Sequence, residues 1–318
     1  MADNSRKSRK NLRAYMVQMK RRLRQEKGSK KDGQNNKTQG AKKPMDRTSK
    51  IILTIGVIAI VIGGSWLLYH VIDYMRGQAI YEDISTEYTE AVAEDTAVPE
   101  GWFTMCQVDI PKLKEINPDT KGWIFFENED ISYPIVQGTD NEKYLNTSFE
   151  GAPLREGSIF LETLNSEDFS DTNSIIYGHN MRDQSMFGKL QKYKFEQDYY
   201  KDHPYFQVIT NDRVYRFQVF AFNDVDENSD VYYMTFGTTQ EYLEYLRMLK
   251  GLSQVHIVAP DVSAPGSSND EKLLSNYKKL VTLSTCTADD NQRFVVIGTL
   301  VGEYDRVNKK VIYDSKVG

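Results

Sequence analysis

The most constraining feature of the chain is an uncharged apolar run near its N-terminus. Nineteen residues, Ile51–Tyr69, read IILTIGVIAIVIGGSWLLY. At about 1.5 Å per residue, a helix of this length spans close to the roughly 30 Å hydrocarbon core of a bilayer. The run is longer than the roughly 7–15 apolar residues of a cleaved signal peptide, and it ends in bulky rather than small side chains. We therefore expect an uncleaved, membrane-spanning signal anchor over residues 51–72.

The charges on either side of this run differ in sign. Residues 1–50 hold 17 Lys or Arg and four acidic residues, a net charge of +13, whereas the remaining residues carry a net charge of −18. A basic arm on an acidic body also occurs in nucleic-acid-binding proteins, but an apolar run directly after the arm favours a membrane protein. Basic residues before the span predict a cytoplasmic N-terminus, a basic arm near anionic lipid headgroups and an extracytoplasmic remainder. We expect the lipid membrane, and no nucleic acid, as a partner.

The exported part divides by composition. Residues 73–100 contain eight acidic residues and one basic residue, Arg76, with little apolar periodicity. We interpret residues 73–105 as an acidic stalk, helical or disordered, and residues 106–318 as the extracytoplasmic domain.

Short β-type runs separated by turn residues fill most of that domain. Seven short strands in fewer than 200 residues favour a mostly β fold, either a barrel or a sandwich. A helical pattern over Thr239–Lys250 and a polar loop over Asp261–Asp270 interrupt the series. The predicted strands are Tyr133–Gln137, Ser158–Glu162, Ser174–Tyr177, Tyr205–Thr210, Arg213–Phe222, Lys279–Thr285 and Arg293–Val301.

Residues able to do chemistry are concentrated at the ends of two predicted strands. His179 follows one apolar strand, Cys286 closes another, and Arg293 begins the next. A thiol, an imidazole and a guanidinium are what a cysteine transferase needs: a nucleophile, a proton carrier and a cation for developing negative charge. Each residue alone is more often structural, since a Cys at the end of an apolar strand usually acts as a small buried hydrophobe. Spacing alone leaves both interpretations open.

Two motifs carry a resemblance to a known family. TLSTC (Thr282–Cys286) with Arg293 downstream, and YGHNM (Tyr177–Met181) upstream, resemble the motifs of the sortases. The TLSTC form, the run SMFGKL (Ser185–Leu190) and the late helix resemble class B sortases most. The resemblance covers about Asp109 to Gly302, including the segments INPDTKGWI, YPIVQG and GSIFLE.

The resemblance implies an eight-stranded sortase-type β-barrel with flanking helices, preceded by the N-terminal transmembrane helix. It implies a transpeptidase of Gram-positive bacteria that cleaves a C-terminal sorting motif of NPxTx, SPxTx or LPxTx type after Thr, through a thioacyl intermediate. Sorting-motif surface proteins and a peptidoglycan amine are the implied partners, and no cofactor or metal is implied. Carried over by residue, Cys286 is the nucleophile, His179 the general acid/base, Arg293 the stabilising cation and Ser284 a substrate contact.

The sequence departs from the family pattern at one point and leaves two alternatives open. Arg293 follows Cys286 by seven positions, a shorter spacing than is usual in sortases, and the loop between them contains Asp289 and Asp290. Contacts made by a longer loop are therefore not carried over. The alternatives are a sortase that polymerises pilins with a pilin Lys as acceptor, and a catalytically silent membrane-tethered scaffold domain.

The remaining candidate residues are interpreted as structural. Cys106 is expected to be a buried or semi-exposed free thiol. The exported location leaves open a disulfide between Cys106 and Cys286, which would abolish the proposed chemistry. Loop carboxylates with no metal-ligand spacing are expected to be solvated. The carboxylates meant are Asp171, Asp183 and Asp224. The histidines interpreted as structural are His70, His203 and His256.

Overall fold

The computed structural model describes residues 46–90, 100–253, 267–287 and 291–315. The chain divides into two compact units, Met1–Gly63 and Gly64–Gly318. Helix α1, Arg47–Tyr88, contains the whole apolar run and is, within the described residues, the one helix long and apolar enough to cross a membrane. It continues through residues 73–88 of the predicted stalk, whereas residues 91–99 lie outside the described part.

The second unit is built mainly of strands, with short helices between them. Its strands are β1 Thr89–Glu90, β2 Gln107–Val108, β3 Thr120–Phe126, β4 Ser132–Val136, β5 Ile159–Leu161, β6 Asn173–Tyr177, β7 Tyr205–Ile209, β8 Arg213–Asp226, β9 Leu280–Cys286, β10 Gln292–Asp305 and β11 Lys310–Asp314. Its further α-helices are α2 Ile110–Ile116, α3 Lys192–Phe195, α4 Tyr199–Asp202, α5 Thr239–Leu252 and α6 Ser267–Asn276. Single 3₁₀ turns lie at Trp102–Thr104, Lys143–Leu145, Gly188–Gln191 and Asp230–Tyr232.

Eight of these strands close into a barrel in the order β3-β4-β5-β6-β9-β10-β8-β7, with β7 pairing back onto β3. Two of the pairs, β4–β5 and β6–β9, are parallel, and the others are antiparallel. Strand β11 extends the sheet beyond β10, while β1 and β2 form a separate two-stranded ribbon. The barrel confirms the expected fold.

Aromatic side chains fill the barrel interior, and one glycine makes room for them. Trp123, Phe206 and Phe217 are fully buried, and the last two stack with ring centroids 5.4 Å apart. Gly298 lies at a register shift of β10, where an added Cβ would be 2.5 Å from the Phe206 ring. A larger residue at position 298 would force the strand or the ring to move.

Sequence patterns located most of the elements. All seven predicted strands and the helix at Thr239–Leu252 are present, the latter with a capping box from Thr238 and Glu241. Strand β3 was not predicted from its pattern, because five of its seven residues are buried and its burial does not alternate. The prediction of a loop over Asp261–Asp270 is wrong for residues 267–270, which begin α6, and residues 261–266 lie outside the described part.

Candidate active site

The barrel register brings the ends of three strands together. Strand β9 lies between β6, to which it is parallel, and β10, to which it is antiparallel. Cys286, the last residue of β9, is the register partner of Arg293. On the other side Tyr177 is paired with Ser284, and the Gly178 amide donates to the Ser284 carbonyl at 3.1 Å.

The register of β6 with β9 also determines where His179 lies along the strands relative to Cys286. His179 follows Tyr177 by two residues, as Cys286 follows Ser284 by two residues, and β6 and β9 run in the same direction. The backbones of His179, Cys286 and Arg293 therefore lie at one end of the barrel, with the cysteine on the middle strand. The structure brings together all three residues that the sequence singled out.

The His179 ring has a defined hydrogen bond. Its Nε2 lies 2.7 Å from the carbonyl oxygen of Leu145, in the 3₁₀ turn between β4 and β5. Because a carbonyl only accepts, Nε2 carries the proton in this contact, and in the neutral imidazole Nδ1 is the acceptor. A half-buried imidazole held in one tautomer is suited to taking and returning a proton.

The Arg293 guanidinium is oriented by the end of the neighbouring strand. Its Nη2 donates to Oε2 of Glu227 at 3.0 Å, and its Nη1 donates to the Gln292 carbonyl at 3.0 Å. The two side chains of the ion pair are 26% and 43% exposed, so the pair contributes little to stability and mainly fixes direction. Sequence reasoning did not identify Glu227, because an acidic residue after a strand carries no distinguishing signal.

A polar wall lies beside the nucleophile position. Ser284 is buried, and its Oγ is 2.9 Å from the hydroxyl of Tyr232, in the turn Asp230–Tyr232. The Tyr232 ring packs against that of Tyr177, with centroids 6.4 Å apart and ring planes inclined by 28°. The Tyr177 hydroxyl donates to Glu162 at 2.9 Å, and burial together with that carboxylate raises its pKa well above the ordinary range. The wall thus presents neutral hydroxyl groups; Tyr232 and Glu162 were not predicted from sequence.

The second cysteine lies elsewhere and has a different character. Cys106 is a free thiol, 7% exposed, and burial raises its pKa to about 12. A thiol with that pKa is protonated at neutral pH and is a poor nucleophile.

The residues interpreted as structural have partners in the protein. His203 stacks on Tyr199 with ring centroids 3.8 Å apart, and its Nδ1 contacts the Tyr199 carbonyl at 3.0 Å. Asp171 accepts from Ser166 and Asn165, Asp183 from Tyr74 and Gln78, and Asp224 pairs with Lys194. His256, Asp289 and Asp290 lie outside the described residues.

Comparison with known proteins identifies the class to which this fold and site belong. The sortase domain model matches residues 126–301. The chain therefore belongs to the sortase family, whose members are cysteine transpeptidases.

Within that family the similar proteins are class B enzymes. Sortase B of Listeria monocytogenes is 30% identical over 255 residues, which cover 78% of this chain and 95% of that protein. The structure of Clostridium perfringens sortase B matches with a TM-score of 0.53 and 28% identity, over 61% of this chain and all of the other. A Staphylococcus aureus sortase B–substrate complex matches with a TM-score of 0.52 and 28% identity, over 60% of this chain and 84% of the other. The resemblance to class B sortases is confirmed.

Proposed function

We propose that this protein is a membrane-anchored transpeptidase that cleaves a C-terminal sorting motif of NPxTx, SPxTx or LPxTx type after its Thr. The cleaved surface protein is then joined to a peptidoglycan amine. The observation that carries the proposal is the register of β6, β9 and β10, which sets Cys286 opposite Arg293 and level with His179. Family membership and the substrate complex of the S. aureus relative support the same substrate class.

The first half-reaction forms a thioacyl enzyme. The Cys286 thiolate attacks the carbonyl carbon of the motif Thr, and the Arg293 guanidinium stabilises the developing oxyanion with fixed N–H donors. The C–N bond then breaks, and the departing amine takes a proton from the His179 imidazolium. The products of this step are the thioester on Cys286, the released C-terminal peptide and a neutral His179.

The second half-reaction returns the enzyme to its starting state. An acceptor amine attacks the thioester carbonyl, and His179 takes the proton that the amine loses. The new amide bond forms as the C–S bond breaks, which restores the thiolate beside a charged imidazolium. Ser284 and Tyr232, on the polar wall, are placed to contact the bound peptide.

We further propose a single-pass topology with the N-terminus in the cytoplasm. The +13 arm, the 19-residue apolar run and the acidic remainder support this orientation. Protease added to intact cells is expected to release a fragment that contains the barrel. A barrel protected from external protease would contradict the topology.

The function is tested with the full-length chain in detergent or nanodiscs. Fluorogenic NPxTx, SPxTx and LPxTx peptides are offered with and without an aminated peptidoglycan fragment, and the products are identified by mass spectrometry. We expect cleavage after Thr, a thioester adduct on the wild type and amide product only with the amine. The Cys286→Ala variant is the control and should yield none of these.

The same assay separates the alternatives. Transfer to a pilin Lys peptide in preference to the peptidoglycan fragment would support the pilin-polymerising alternative. Absence of any acyl adduct on the wild type with all three peptides would support the silent scaffold and overturn the proposal.

A further inference from the structure

The part of α1 that follows the apolar run packs against both segments that hold His179. Within the unit Gly64–Gly318, Tyr81 and Ile84 of α1 are buried in the same core as the barrel strands. At Gly77 the helix comes so close that an added Cβ would be 3.0 Å from Oε2 of Glu156. This stretch of the anchor helix is therefore part of the catalytic unit.

The first contact is with the loop that follows His179. Asp183 lies in that loop, and its Oδ2 accepts hydrogen bonds from the Tyr74 hydroxyl at 2.9 Å and from Gln78 Nε2 at 3.0 Å. Its Oδ1 accepts from the amide and the hydroxyl of Ser185 at 3.2 and 2.9 Å. Burial raises the pKa of Asp183, but the hydrogen bonds from Ser185 and Tyr74 outweigh burial and lower it, so the carboxylate stays charged.

The loop transmits this contact to the histidine because it is tightly folded. Gln184 and Met186 both have left-handed backbones, with φ of 67° and 51°, a conformation that costs energy and needs support from its surroundings. The Phe187 amide donates to the carbonyl of His179 itself at 3.0 Å, and Asn180 forms a β-bridge with Met186. A displacement of Asp183 therefore moves the chain on both sides of the bridge.

The second contact is with the segment that carries the hydrogen-bond acceptor of His179. The Tyr81 hydroxyl donates to the carbonyl of Gly157 and lies 3.1 Å from Oγ of Ser158. Gly157 has φ of +55°, and an added Cβ there would be 2.5 Å from the Leu145 carbonyl oxygen. That oxygen is the one that accepts from His179, so α1 also braces the acceptor.

We propose that Tyr74 and Asp183 form a latch through which the anchor helix positions His179 for proton transfer. The inference rests on the proposed function of His179, and both latch members are positioning residues that act through the loop. The part of α1 that follows the predicted membrane span thus has a role of its own, which is to hold the base of the active site at its working geometry.

The test uses the full-length chain in nanodiscs and the variants Tyr74→Phe, Asp183→Ala and their combination. Tyr88→Phe is the matched control, since it removes a hydroxyl from the same helix that bonds only the adjacent Glu87 side chain in the described contacts. Turnover and KM are measured on the peptide that the wild type cleaves best. Hydrogen exchange is measured on the peptide containing residues 178–188.

We expect Asp183→Ala to lower kcat about tenfold and Tyr74→Phe about threefold to tenfold, with KM changed less than about twofold, because geometry and not binding is lost. The double variant should be no worse than Asp183→Ala, since both single variants already lack the Tyr74–Asp183 hydrogen bond. The amides of residues 178–188 should exchange faster in the latch variants than in the wild type. In Tyr88→Phe their exchange rate should equal that of the wild type. Asp183→Asn, which retains one acceptor oxygen, should recover part of the turnover.

Unchanged exchange and unchanged kcat in Asp183→Ala would overturn the latch. Additive losses in the double variant would also overturn it, because they would show two independent effects. Failure of the proposed function looks different: the wild type itself would then form no acyl adduct. The exchange measurement still decides in that case whether Tyr74 and Asp183 hold the loop.

Discussion

Cys286 and Arg293 are register partners across the antiparallel pair β9–β10, and they form the last pair of that register at this end of the barrel. The pairing sets the distance between their backbones without help from a long loop. The departure from the usual family spacing therefore leaves Arg293 opposite Cys286 in the sheet. Four further features of the site and one of the fold lead to measurable predictions.

The two cysteines should differ sharply in reactivity. We expect iodoacetamide at pH 7 to label Cys286 and to spare Cys106 in the folded protein, because burial raises the pKa of Cys106 to about 12. Peptide mapping by mass spectrometry identifies the labelled residue. Cys106→Ala should keep its turnover and Cys286→Ala should lose it; the reverse pattern would show that the nucleophile has been misassigned.

Arg293 should resist conservative replacement. Lysine keeps the charge but loses the fixed fork of donors, so Arg293→Lys should lower kcat on the order of 10²–10³-fold, and Arg293→Ala at least as much. KM should change less than kcat if the guanidinium acts on the transition state. Arg213→Lys is the control, since Arg213 pairs with Asp305 at the other end of β8. Near-wild-type turnover in both Arg293 variants would remove that residue from the site.

Histidine 179 can be tested without losing its hydrogen bond to Leu145. His179→Gln retains an N–H donor for the carbonyl but has no titratable nitrogen, so turnover should fall at least about 100-fold while the melting temperature stays close to that of the wild type. His203→Ala serves as the comparison because its ring stacks on Tyr199. It should lower the melting temperature and leave kcat per folded molecule unchanged. Full activity of His179→Gln would exclude a proton-transfer role.

The Ser284 hydroxyl should affect binding more than turnover. It lies 2.9 Å from the Tyr232 hydroxyl on the polar wall, so Ser284→Ala should raise KM for the cleaved peptide about threefold to tenfold, the effect of one lost hydrogen bond. Ser174→Ala on β6 is matched in chemistry and burial, but the Ser174 hydroxyl has no hydrogen-bond partner among the residues that the structure describes. Equal kinetics for the two variants would mean that Ser284 makes no substrate contact.

The cluster formed by Glu129, Lys192 and Tyr199 should make the stability of the fold depend on pH in the acid range. Burial raises the pKa of Glu129, but hydrogen bonds from Lys192 and Tyr199 outweigh it and lower the pKa to about 2. Because the folded pKa is below the unfolded one, this contribution is present above about pH 4.5 and is lost as the pH falls towards 2. Glu129→Gln should lower the melting temperature at pH 7 and reduce its fall between pH 5 and pH 3.

Glu150→Gln, at an exposed position, is the control for that measurement. A Glu129→Gln protein whose melting temperature follows the wild type at both pH values would show that the cluster does not stabilise the fold.

Apolar runs and rare residue types are visible without a structure, so the sequence predicted seven of the strands and the late helix. It also singled out His179, Cys286 and Arg293 as candidate site residues, and the strand register brings these three to one end of the barrel. It did not predict β3, whose burial on both faces hides the strand period. Glu227, Tyr232 and the Leu145 carbonyl were also missed, since each joins the site through a tertiary contact made by a common residue or a backbone atom. The hydrogen bond between Tyr74 and Asp183 was missed as well, because it depends on how α1 packs against the barrel and no local sequence pattern shows that packing.

The parallel pairing of β6 with β9 has a consequence for when the enzyme becomes active. His179 and Cys286 lie far apart in the chain, and the barrel closes only when β9 inserts between β6 and β10. Contacts between distant segments form late in folding, because the entropy cost of closing the intervening loop comes before any stabilisation by the contact. His179 and Cys286 are therefore brought level only once β9 is paired with β6. If the two residues act as proposed, peptide cleavage reports that β9 is in place between β6 and β10.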